Sequence, residues 1–65
     1  MLPHQERVVV EKTELDVKIK ALIGFFDTKI FQALPANEQQ LLSDQFKHMV
    51  AYSDVLELRI KGFTE

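Results

Sequence analysis

Apolar positions in the second half of the chain recur at steps of four and three. Leu42, Phe46, Met49, Ser53, Leu56, Ile60 and Phe63 fall on one such line, which is the period of one face of an α-helix. A strand would alternate with period two, and this segment does not. Pro35 suits a first helical turn, where its missing N–H is no loss. Glu38 falls near the positive end of the helix dipole and Lys61 near the negative end, and Gly62 is placed to close the helix. The pattern predicts a helix over about 35–62, roughly 40 Å long at ~1.5 Å per residue. A seam of that length needs a partner.

The first half supplies one. Val8, Leu15, Ile19, Leu22 and Phe26 form a second seam, with Lys12 in the one gap, where its stem can lie on apolar surface while its ammonium stays wet. A helix over about 4–26 follows, opened by Pro3. The triplet Val8-Val9-Val10 lowers helix propensity only slightly. Between the helices, Asp27 and Thr28 are good N-cap residues. Residues 28–34 read as a short turn of helix whose Ile30, Phe31 and Leu34 plug the end. Two long helices on a short link lie antiparallel. The expected fold is all-α, one antiparallel two-helix hairpin with a short helical turn between its helices, forming a single domain over 1–65.

Each helix carries more apolar surface than a hairpin needs. Val10, Val17, Ala21 and Gly24 form a stripe of small residues on the first helix. It reads either as packing on its own partner helix or as a contact between subunits. Leu41, His48, Tyr52, Val55 and Arg59 form a mixed stripe on the second. Sixty-five residues bury a low fraction of their surface, and domains of this size usually need disulfides, metals or oligomerisation. The chain has no cysteine, so neither a disulfide framework nor a thiolate zinc site is available. Surplus apolar stripes then point to a homo-oligomer, with a dimer as the minimum and a hexamer as an open outcome.

Composition narrows the function classes. At 46% hydrophobic and 28% charged, the chain has too much apolar material for the disordered class. There is no run of about 18 apolar residues for a membrane span and no signal-peptide layout before Glu11, so a cytoplasmic protein without a membrane partner is expected. The net charge of −2 argues against binding a nucleic-acid polymer, which needs a basic footprint. A small anion needs only a few convergent cations.

Most charges have local explanations. Glu14 with Lys18, Asp16 with Lys20, and Glu57 with Lys61 stand four apart in the favourable order, and Asp44 can meet Lys47 or His48. Arg7, Glu11 and Arg59 lie beside the seams at the open end. One reading is a Glu11–Arg59 or Glu11–Arg7 bridge that closes that end. The other makes them part of a ligand site, in which Arg7, Glu11, Lys18, Tyr52 and Arg59 from neighbouring chains line a pocket for a phosphate-bearing ligand. Arg offers a planar fork for phosphate, and Tyr a ring for stacking and a hydroxyl. His4 and His48 fall at different levels of the hairpin, so no catalytic or metal pair is expected. No Gly-rich phosphate loop, HExxH, EF-hand loop or nucleophile elbow is present. The chain therefore reads as a non-enzyme without metal or cofactor.

Strings spread over nearly the whole chain resemble small phage and prophage proteins, including relatives in crAss-like phages. They are Pro3-His4-Gln5-Glu6-Arg7-Val8-Val9, Glu11-Lys12, Glu14-Leu15 and Lys18, then Leu34-Pro35, Glu38-Gln39, Leu41-Leu42, Gln45, Met49, Tyr52-Ser53, Leu56 and Arg59-Ile60. That group is similar to the helical-hairpin sponges that phages direct against CBASS and Thoeris immunity. The resemblance implies assembly of antiparallel hairpins, often as hexamers, in the host cytoplasm. It also implies capture of a cyclic oligonucleotide or cyclic ADP-ribose-type signal between subunits, without catalysis. A different class of function is an interaction protein that docks the apolar face of Val10, Val17, Ala21, Tyr52 and Val55 into a groove on a host protein.

Overall fold

The computed structural model describes residues 1–63. Three helices follow one another: α1 (Pro3–Phe26), α2 (Lys29–Ala33) and α3 (Ala36–Lys61). The described residues are all-α, and the body of the molecule is α1 packed on α3, with α2 at one end. It is a rod of 49 × 15 × 13 Å.

Both predicted seams face inward. Val8 and Leu56 are buried, and Leu15, Ile19, Leu22, Phe26, Leu42, Phe46, Met49, Ile60 and Phe63 are half-buried around them. With one layer of contact between two helices, most seam residues keep one side in water. The stripe of Val10, Val17, Ala21 and Gly24 does not pack on α3; all four are exposed. At 100° per residue that stripe lies about opposite the seam.

The helix ends follow local chemistry. Pro3 opens α1, and the Gln5 side chain turns back to accept the Leu2 N–H at 3.0 Å, which satisfies one of the end's orphan donors. Thr28 joins the first two helices. Its hydroxyl donates to the Phe25 carbonyl at 2.6 Å and accepts the Phe31 N–H at 3.2 Å. Pro35 sits one position outside α3, as its N-cap in extended conformation, where the first helical turn was expected. Its carbonyl takes the N–H groups of Glu38 and Gln39. The Gln39 side-chain amide donates to the carbonyls of Gln32 and Leu34, tying α3 to the end of α2. Gly62 closes α3 with φ −82; the closure is ordinary right-handed backbone and needs no glycine.

Phe25, Phe26, Phe31 and Phe46 fill the closed end. The Phe26 ring meets Phe31 and Phe46 edge-on, at centroid distances of 4.9 and 5.6 Å, in the geometry favoured by ring quadrupoles. Ile30, expected in this plug, is instead 68% exposed.

Candidate functional site

A polar constellation crosses the seam. Lys12 Nζ donates to Asp16 Oδ2 at 2.7 Å and to Ser53 Oγ at 3.1 Å. The Ser53 hydroxyl donates to Asp16 Oδ1 at 2.6 Å, and Glu57 stands 3.8 Å from the same ammonium. Asp16 therefore pairs with Lys12 rather than with Lys20, because Lys12 projects into the seam beside it. The Lys12 ammonium, expected to stay in water, is drawn onto these partners. The hydrogen bond to Asp16 raises the Lys12 pKa above its ordinary 10.5, despite some loss of solvent. The hydrogen bonds from Lys12 and Ser53 lower Asp16 below 3.8. Every polar atom in this cluster has a partner, so it serves as a cross-link between helices and leaves no donor aimed at a ligand.

The cluster also marks one edge of the hairpin. Helical positions place Arg7, Glu11 and Lys18 on the opposite edge of α1, and Tyr52 and Arg59 on the matching edge of α3. The Lys12–Ser53 contact sets the register between the helices. It puts Tyr52 at about the level of residue 13 and Arg59 at about the level of residue 6. All five candidate residues thus share one edge, four of them in its open-end half and Lys18 just past the middle of α1. They do not converge on one point, since Arg7 and Lys18 are about 16 Å apart along α1 at ~1.5 Å per residue.

Arg7 and Glu11 share a shallow groove of about 460 Å³, lined only by α1: Pro3, Glu6, Arg7, Val10, Glu11 and Glu14. Three carboxylates surround one guanidinium there, so the groove of a single chain repels an anion. Neither Glu11–Arg7 nor Glu11–Arg59 closes the open end as an ion pair; all three residues are exposed and water competes well for such contacts. Of the expected surface pairs, Glu57–Lys61 forms at 3.9 Å. Glu14 and Lys18 form no bridge, and Asp44 accepts from Gln40 at 2.9 Å rather than meeting Lys47 or His48. Tyr52 is 45% exposed. Among the described residues, no group of three His, Cys, Asp or Glu side chains could hold a metal ion, and no helix is long and apolar enough to cross a membrane.

Two polar residues central to this geometry carry weak sequence signals. Ser53 reads as a gap in an apolar line, and Asp16 as a surface charge. The available hint is that Lys12 and Asp16 stand four apart on the seam side of α1, opposite the only hydroxyl in the α3 seam.

Comparison with known proteins adds family context. Residues 2–62 match the family model described as Sequestin. The chain is 43% identical over 63 residues to an uncharacterized 7.5 kDa protein from the denB–rIIB intergenic region of Enterobacteria phage T4, which covers 97% of this chain and 98% of that one. No solved structure matches the chain.

Proposed function

The chain belongs to the Sequestin family, and from that premise we propose that it is a phage protein that captures and holds a small nucleotide-derived signal, without turning it over. The observation that carries the reading is membership of a family named for sequestration, together with 43% identity to a phage protein over nearly its whole length. The ligand class follows from chemistry. One edge of the hairpin bears Arg7, Lys18 and Arg59 for phosphate and the ring of Tyr52 for a base. Because the groove beside Arg7 is acidic in one chain, a phosphate site there needs cations from a neighbouring copy. The binder is therefore a homo-oligomer, and Glu11 orients Arg7 or receives a ribose hydroxyl. Holding a messenger lowers its free concentration by mass action, so copy number and affinity matter and turnover does not.

The test is thermal stability against cyclic di- and trinucleotides and cyclic ADP-ribose isomers, with solution mass read alongside. At ligand a hundredfold above Kd, a binder gains about 2.7 kcal/mol per site. Arg7→Ala and Arg59→Ala are expected to abolish that gain and leave the mass unchanged. Undiminished binding by both variants refutes the site. A flat panel refutes the ligand class and favours the second reading, in which the exposed residues Val10, Val17, Ala21, Tyr52 and Val55 dock onto a host protein.

A further inference from the structure

We propose that the outward face of α1 packs antiparallel on the same face of a second copy, about a two-fold axis near Val17. The pairing goes beyond the sequestering reading and needs no ligand: a flat nucleotide panel leaves it standing, and an oligomer built on another face overturns it while leaving the sequestering reading standing.

Three observations point to this occupant. The first is surface. A folded monomer of 7.5 kDa is expected to expose about 4,250 Å², and this chain exposes 4981 Å². The excess is close to the ~800 Å² that each partner buries in an ordinary stable interface. The radius of gyration, 15.0 Å against about 11 Å for a compact chain of this length, has the same origin: one helix pair with no third layer. The second is the face itself. Val10 and Val17 are 54% and 63% exposed, and Gly24 continues their line. A Cβ added at Gly24 would meet nothing within 4 Å in its own chain, so the cost of a helical glycine, about 1 kcal/mol relative to Ala, has no return within the hairpin. A side chain from another copy seated on Gly24 supplies one.

The third is charge, and it sets the direction. The carboxylates Glu6, Glu11 and Glu14, with the one guanidinium of Arg7 among them, stand beside the N-terminal half of this face and leave it acidic on balance, and the ammonium groups of Lys18 and Lys20 stand beside the C-terminal half. Parallel pairing lays each block on its like. Antiparallel pairing laps acid over base, which favours encounter and fixes register. With the axis at Val17, that residue meets its own counterpart, Val10 covers the partner's Gly24, and Glu14 comes within reach of the partner's Lys18. Such an axis stands normal to the plane of the two α1 helices. The Tyr52 edges of both copies then look the same way.

The test uses the protein alone. Sedimentation or light scattering over a concentration series should give a mass above one chain. Val17→Asp should raise the dissociation constant at least about tenfold with helical content unchanged, since Val17 is exposed on the side of α1 away from the seam. Glu14→Lys should weaken association roughly five- to tenfold, and Glu14→Lys with Lys18→Glu should restore it. With no native cysteine, direction can be read by oxidation: an equal mixture of Val10→Cys and Gly24→Cys chains should cross-link to each other faster than Val10→Cys to itself. A monomer at every concentration overturns the proposal. So does preferential Val10→Cys self-linking, or an oligomer that ignores Val17→Asp and is broken by Val55→Asp.

Discussion

Leu56 and Leu58 stand two residues apart on α3, share a residue type, and differ in exposure by nearly the full range: 0% against 68%. Replacing each by Ala separates the seam from the outer surface. Leu56→Ala removes three buried carbons, about 2.4 kcal/mol at ~0.8 kcal/mol per buried CH₂, plus a cavity contribution. A two-helix seam can close on the gap, so the total sits low in the usual ~2–5 kcal/mol, at about 3 kcal/mol. Against a total stability of roughly 3–10 kcal/mol for this length, that is a third or more of the fold. Unfolding entropy of ~2.1 cal/mol/K per residue makes 1 kcal/mol worth about 7 °C here, so Tm should fall by about 20 °C. Leu58→Ala removes the same atoms from water-facing surface and should cost under ~0.5 kcal/mol, about 4 °C at most. Thermal unfolding followed by circular dichroism at one fixed protein concentration measures both. Equal losses would refute the assignment of the seam, because the two residues then share one environment.

Ser53→Ala should cost about 1 kcal/mol, since it removes one hydroxyl from the cluster and leaves Lys12 and Asp16 still bonded to each other; urea denaturation reads this. Thr28→Ala should also cost about 1 kcal/mol through the lost cap on α2, seen as a lower Tm with the mass unchanged. Asp16 has its pKa lowered in the fold, so its contribution to stability is present above the ordinary value of 3.8 and is lost as pH falls through the lowered one. Asp16→Asn should therefore lower Tm at neutral pH and flatten its decline in acid; an unchanged acid slope would remove Asp16 from the account. Lys12 has the opposite sign: its contribution is complete below 10.5 and is lost as pH rises through its raised value, so Lys12→Met should flatten the alkaline decline of Tm.

The candidate edge was only partly legible. Arg7, Lys18, Tyr52 and Arg59 were singled out by chemistry, and the fold sets them along one edge because each stands roughly a quarter-turn from its own seam. Their spacing along the rod could not be read from one helix at a time, because it depends on the register between α1 and α3. The acidity of the groove at Arg7 likewise needed the neighbouring side chains Glu6 and Glu14 in place. Spacing predicts an Asp16–Lys20 pair, and a Glu11 bridge to Arg7 or Arg59 is one of two readings of the open end. They are absent because spacing says which groups can meet, and competing partners and water decide which do.

The order of apolar residues by itself determined two long helices, a capped turn, and the inward faces. A 3.6-residue period is a local property, and burying one stripe satisfies it wherever the partner comes from. Only the tertiary structure decided that Lys12 gives up water for Asp16 and Ser53, and that the Val10–Val17 stripe is left outside. Both depend on what lies across from a residue. That is fixed by how two helices slide and rotate against each other, over a seam whose two sides must interlock.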